Sequence, residues 1–159
     1  MPELILPTPA VRKSFLAGER DLAREKGDHP DWLPAAKADF TSFAAARAVT
    51  QLLWDVPVTE LWYADGTVYL GTVMIRHELT PALRVDGGHI GYHVVPRHRR
   101  RGHATAMLAG ACVICRDRGL TEVLVTCDET NIGSRRVIES NGGKLAGASS
   151  GVCQYWITL

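Results

Sequence analysis

Apolar and polar positions alternate with two periods along the chain, and the change of period divides it. From about Ala10 to Lys26 and again from about Lys37 to Trp54 the apolar residues recur at helical spacing, with Phe40, Phe43, Ala44, Ala48 and Leu52 on one stripe of the second segment. The turn-rich stretch Gly27 to Pro34 separates the two. Glu3 to Leu6 reads as a short opening strand closed by Pro7 and Pro9. Val58 to Tyr63 and Thr67 to Arg76 are rich in β-branched and aromatic residues and joined by Ala64-Asp65-Gly66, a hairpin signal. Pro81 to Gly87 reads as a loop, and Gly88 to Val95 as a third strand ended by Pro96. A helix from Arg101 to Arg118 carries Ala104, Met107, Leu108, Ala111, Cys112 and Cys115 on one face, with Gly119 after its end. Glu122 to Cys127 is a buried-type strand, Ile132 to Ser140 a helix stopped by Asn141-Gly142-Gly143, and strands near Lys144 to Ala146 and Val152 to Leu159 finish the chain.

The expected order is β-α-α-β-β-β-α-β-α-β-β, an α/β (α+β) fold with a central mixed sheet flanked by helices. In the strand-helix-strand unit from Gly88 to Cys127 the two strands are expected to be parallel with a right-handed crossover. With 159 residues, 46% of them hydrophobic, and no repeat or linker, the chain is expected to form a single domain over 1–159 with a real core.

Charge sharpens the picture. The net charge is +1, which argues against a polycation built for nucleic acid or anionic membrane. Yet four arginines crowd between Arg97 and Arg101. Without them 14 basic residues face 17 acidic ones, so one segment carries the positive field. No basic n-region or apolar stretch of about 20 residues is present, and the expectation is a cytoplasmic protein with no membrane partner. The four cysteines are then expected to be reduced thiols. Cys112-x-x-Cys115 lies inside an apolar helical run, where a core role is favoured over metal or redox work.

The chemistry-bearing run is Pro96-Arg97-His98-Arg99-Arg100-Arg101-Gly102-His103-Ala104-Thr105, set between a strand end and a helix start. A helix start exposes unpaired N–H groups and the positive end of the macrodipole, which suits a phosphate or pyrophosphate. Small residues at Gly102 and Ala104 allow close backbone approach. Neither the nucleotide P-loop nor the three-glycine dinucleotide fingerprint is present. The plainer reading, a solvated basic loop with weak nucleic-acid affinity, leaves the glycine and alanine spacing without a reason.

As R-x-x-G-x-A this run resembles the pyrophosphate-binding motif of the GCN5-related N-acetyltransferase (GNAT) family. The element order resembles that family's acyl-CoA N-acyltransferase fold over nearly the whole chain, and Asn131 with Ser134 falls where its N-x-x-A motif is expected. Arg76-His77-Glu78-Leu79, Gly87 to Tyr92, Thr126-Cys127 and Val137-Ile138-Glu139 are similar to a bacterial subgroup of acetyltransferases. The resemblance implies acetyl-CoA in a V-shaped opening between the strands ending at Val95 and Cys127. Backbone groups of Val94 and Val95 would pair with the pantetheine, and amides and arginines among Arg99, Arg100, Arg101, Gly102, His103, Ala104 and Thr105 would take the pyrophosphate. Asn131 would touch the pantetheine or the helix-strand junction. The partners implied are acetyl-CoA and an amine acceptor, with no nucleic acid. A noncatalytic acyl-CoA-binding module is the alternative.

Acetyl transfer needs an unprotonated amine, and a lysine-like amine lies about three pKa units above neutrality, a cost of about 4 kcal/mol. Glu78, His89 and His93 are the candidate bases. Glu78 could instead pair with Arg76, and the histidines could be satisfied core groups. A metal site from His77, His89 and His93 lacks an open-site signature. Many relatives place a proton-donating tyrosine seven positions after the motif asparagine, where this chain has Ile138. Tyr92, Cys127, Tyr155 or solvent would then protonate the departing thiolate. Edge strands near the carboxyl terminus would suit a homodimer.

Overall fold

The computed structural model covers Met1 to Leu159 and contains eight strands and six α-helices. β1 (Glu3–Ile5) is followed by a 3₁₀ turn (Pro9–Val11), α1 (Arg12–Lys26), α2 (Leu33–Ala38), α3 (Phe40–Ala48), β2 (Gln51–Leu53), β3 (Val56–Asp65) and β4 (Val68–Arg76). Then come α4 (Pro81–Val85), β5 (Ile90–Val94), a second 3₁₀ turn (Pro96–His98), α5 (His103–Asp117), β6 (Glu122–Asp128), α6 (Ile132–Ser140), β7 (Lys144–Ser149) and β8 (Val152–Thr158).

Local chemistry explains three departures from the sequence pattern. The segment expected as one helix from Lys37 to Trp54 breaks at Asp39, whose extended backbone and side chain cap α3 by accepting from the Ser42 N–H at 3.1 Å. It ends at Ala48, and the remaining residues form β2 and a tight hairpin turn in which Trp54 and Asp55 have φ of 53° and 62°. Pro81 to Gly87 is not all loop: Thr80 caps and Pro81 starts the short α4. β5 begins at Ile90, because Gly88 (φ 63°) turns the chain before it.

The strands form two antiparallel sheets, one ordered β1-β3-β4-β5 with β2 on β3, the other β6-β8-β7. The expected strand-helix-strand unit is β5-α5-β6, but its strands form no parallel ladder. The sheets meet at one bridge, Gly88 to Val125, where the His89 N–H donates to the Leu124 carbonyl at 2.7 Å. A Cβ on Gly88 would run into that carbonyl, so only glycine permits the approach. Beyond it β5 and β6 form no ladder, and the expected opening lies between their edges.

The first sheet has two faces. One carries Leu61, Val73 and Ile90 against Met107, Leu108, Ile138 and Tyr155 of the α5, α6 and second-sheet side. The other packs Trp62, Tyr69 and Val95 against Phe15 of α1 and Phe40 and Ala44 of α3. Phe15 stacks on Trp62 at 4.5 Å between ring centroids. No helix is long and apolar enough to cross a membrane. All four cysteines are free thiols.

Candidate active site

Gly102 precedes α5 with φ 79°, a conformation that favours glycine, and no side chain caps the helix. The first backbone bond is Ala106 N–H to Gly102 C=O at 3.2 Å, so the N–H groups of His103, Ala104 and Thr105 have no partner in the helix. A Cβ on Gly102 would meet nothing within 4 Å: the space outside this turn is open.

The arginine run divides into two pairs. Arg97 holds Asp21 through two bonds at 2.7 and 2.9 Å, and Arg99 holds Glu25 at 2.8 and 2.9 Å while its Nε donates to the Val94 carbonyl at 3.2 Å. Exposed pairs of this kind contribute only about 0–1 kcal/mol each, and their main effect is to fix the loop against α1. Arg100 and Arg101 are exposed and without a protein partner. Arg100 itself has φ 60°, which turns the chain just before Gly102. His103 is half-buried, edge-on to Tyr63 at 5.8 Å.

Register decides which backbone groups of β5 face the opening. Arg76 N–H to His89 C=O at 2.6 Å and Val95 N–H to Leu70 C=O at 3.0 Å set the phase of the β4-β5 ladder. Gly91, His93 and Val95 therefore spend their backbone on β4, His89 gives β4 its carbonyl and Leu124 its N–H, and Ile90, Tyr92 and Val94 turn theirs to the other edge. Of the expected pair Val94 and Val95, only Val94 has its backbone on the free edge. Tyr92 joins it there.

Tyr92 reaches across the opening to α6, its hydroxyl 2.7 Å from the Ser134 Oγ. Asn131 caps α6, its Oδ1 accepting from the Ser134 N–H at 3.1 Å. Ser134 also acts on the Cys127 thiol, favouring its ionised form against burial. Asn131, Ser134, Tyr92 and Cys127, expected from separate stretches, thus converge. Burial pushes the Tyr92 hydroxyl up to about 12, against the opposing bond to Ser134. Burial, and secondarily neighbouring Cys153, push the Cys127 thiol up. Tyr155 is committed elsewhere, accepting from Arg135 Nε at 3.0 Å. Ile138 is wholly buried in the core, so a side chain at that position does not face the opening.

The three candidate bases separate. Glu78 is exposed beyond the end of β4 and makes no hydrogen bond or ion pair. Thr72, which pairs with His93, and Arg76, which pairs towards His89, are already about 13 Å apart along the strand, and Glu78 lies further on. His89 is 6% exposed, and its Nδ1 accepts from the Leu124 N–H at 2.9 Å. It clasps the two sheets as a neutral imidazole, and burial, with Arg84 adding to it, lowers its pKa. His93 is different: its Nε2 lies 3.0 and 3.2 Å from the two oxygens of Glu19 on α1.

Glu19 is absent from the sequence-based candidates. It is buried within the α1 stripe of Phe15, Leu16, Gly18 and Leu22. A carboxylate inside an apolar stripe four residues after Phe15 was the signal available. Gly18 lets α1 approach: a Cβ there would sit 3.0 Å from the Val95 methyls. His77 bonds Thr59 at 2.7 Å and Arg118 at 2.9 Å, and no group of three or more metal-ligating side chains is assembled.

The profile of the Acetyltransferase (GNAT) domain family matches residues 6–144. No curated protein sequence matches the chain. Among solved structures, the microcin C7 self-immunity acetyltransferase MccE in complex with acetyl-CoA and AMP superposes with a TM-score of 0.69 at 15% identity, covering 99% of this chain and 92% of that one. RimL, the ribosomal L7/L12 alpha-N-protein acetyltransferase in complex with CoA, gives 0.68 at 14% identity over 99% and 94%. The GNAT domain of S. lividans PAT gives 0.64 at 16% identity over 99% and 89%.

Proposed function

Since the chain belongs to the GCN5-related N-acetyltransferase family and is an acetyl-CoA-dependent acetyltransferase, we propose that it acetylates a primary amine by direct attack in a ternary complex, with His93 as base and Tyr92 as acid. The observation that carries the reading is the uncapped start of α5, open to solvent, next to the free edge of β5.

The residues present fit acetyl-CoA. The N–H groups of His103, Ala104 and Thr105, with Arg100 and Arg101, would take the pyrophosphate, each charge-assisted bond contributing about 1.5–3 kcal/mol before binding costs. The backbone of Tyr92 and the N–H of Val94, whose carbonyl already accepts from Arg99 Nε, would offer bonds to the pantetheine amides. Bound acetyl-CoA supplies an activated acetyl thioester.

His93 would take the proton of the incoming ammonium. Glu19 accepts the imidazole Nε2–H, which leaves the Nδ1 lone pair as the basic site. The buried carboxylate fixes the ring and stabilises the imidazolium that forms, so Glu19 is a positioning residue. Tyr92 would donate to the departing thiolate: with its pKa raised to about 12 it stays protonated through neutral pH. Ser134 orients it.

Two measurements test the reading together. Acetyl-CoA is expected to raise the melting temperature, and Gly102→Glu to abolish the rise by placing a carboxylate where the pyrophosphate belongs. A panel of primary amines monitored by free CoA thiol is expected to reveal turnover. No stabilisation by acetyl-CoA at millimolar concentration would overturn the cofactor site, and stabilisation without turnover on any amine would overturn catalysis.

A further inference from the structure

On the α1 side of the first sheet, beyond His93, lies a cleft of about 700 Å³ whose lining includes Trp54, Asp55, Arg76, Thr80 and Asp86. Its chemistry centres on Arg76. The residue is 9% exposed, and burial lowers its pKa while Asp86 opposes the shift. Nη1 donates to the carbonyls of Gly87 (2.8 Å) and Gly88 (3.4 Å). The buried Nε has no acceptor, and Nη2 makes no bond either. Nε–H and one Nη–H of a guanidinium are parallel donors spaced for the two oxygens of a carboxylate. One two-pronged edge of a buried cation therefore stands unused, although buried donors are almost always paired.

The surroundings hold that edge in place. The guanidinium carbon lies 4.4 Å from the centroid of the Trp54 ring. Trp54 is 51% exposed and sits in the left-handed region with Asp55, a turn conformation usually given to asparagine and glycine. Asp86 and Asp55 are exposed in the lining and make no ion pair with Arg76, and their charges oppose a polyanion there. Across β5 the guanidinium lies over Gly91, where a Cβ would come 3.3 Å from Nη2. Gly91 and His93 share a face two residues apart, about 7 Å along the strand.

Resting on the acetyl-transfer reading above, we propose that this cleft binds the carboxylate of an amino-acid-type acceptor on the Nε/Nη2 edge of Arg76, with the acceptor's amine directed along β5 to His93. The spacing suits an amine and a carboxylate held on one short backbone, as in a free amino acid or the carboxyl end of a small peptide.

The test is a titration of the ¹⁵N-labelled protein, saturated with CoA, following the Arg76 Nε–H resonance. Glycine and β-alanine are expected to shift it saturably, and glycinamide, which has the amine but no carboxylate, is not. Triglycine distinguishes the sources: a shift equal to that of glycine assigns the carboxyl end of a peptide, and a shift with glycine alone assigns a free amino acid. Arg76→Lys, which keeps the charge and loses the fork, is expected to cut the preference for glycine over glycinamide by roughly tenfold. If that variant fails to fold, the wild-type titration decides. No shift with either carboxylated amine, or an equal shift with glycinamide, overturns the proposal. Because the melting shift with acetyl-CoA is read on the same sample, loss of the cofactor reading is seen separately.

Discussion

Changing Glu19 to glutamine removes one charge from the interior and keeps the side chain's shape. The amide oxygen still accepts the His93 Nε2–H but the charge that stabilises the imidazolium is gone, so kcat is expected to fall, and to fall further, by about 10²–10⁴-fold, the usual worth of a general base, in His93→Ala. The acetyl-CoA melting shift should survive in both. An unchanged kcat in His93→Ala would remove His93 from the mechanism. Tyr92→Phe is expected to lower kcat while leaving acetyl-CoA binding intact, since its backbone still lies on the free edge of β5. His89 belongs to stability. Its folded-state pKa is lowered, so between that value and the ordinary value of about 6.5 the unfolded chain binds more protons, and stability rises with pH. Acidification through this window puts a proton on Nδ1, opposite the Leu124 N–H that it now accepts. The melting temperature should therefore drop from pH 7 to 5.5, and the drop should be smaller in His89→Gln.

At the scale of elements, the two ends that matter are the start of α5 and the start of α3. Gly102→Ala forces a residue with a Cβ into the left-handed region, a cost of about 1–2 kcal/mol with no clash to add to it. Denaturant unfolding should show that loss, and a larger relative weakening of acetyl-CoA binding would follow from a disturbed turn. Asp39→Ala removes the α3 cap at about 1 kcal/mol and leaves acetyl-CoA binding alone, which makes it a control for general destabilisation. Gly102 and the R-x-x-G-x-A spacing were legible in the sequence because a helix start is a local event. The break at Asp39 was legible too, as an N-cap residue ahead of an apolar run, but helical spacing on both sides masked it.

Across the molecule, the opening lies where two antiparallel sheets touch at one bridge and form no ladder beyond it. Gly88→Ala drives a Cβ into the Leu124 carbonyl, and the expected result is a lower melting temperature together with loss of acetyl-CoA stabilisation, since both walls of the opening shift. If stability falls while the acetyl-CoA shift stays whole, the opening does not depend on that contact.

Period and turn residues by themselves determined most of the strand and helix order, all but β2, α4 and the break between α2 and α3, and the glycine and arginine spacing marked a helix start suited to a phosphate; acetyl-CoA followed only from the resemblance of that run to a family motif. The order and the helix start are properties of neighbours along the chain, set by backbone geometry within a few residues. Tertiary structure alone decided the roles of the polar side chains. Glu78 and His93 looked alike as candidate bases, and only the packing of α1, through Gly18 on Val95, placed Glu19 against His93 and left Glu78 in solvent. Arg99 looked like a cofactor ligand until the fold brought up Glu25 from α1, as it brought Asp21 to Arg97. Register likewise assigned the free backbone of β5 to Tyr92 and Val94 rather than Val95. Such contacts join residues some 75 positions apart, and a local pattern carries no information about which charge will meet which.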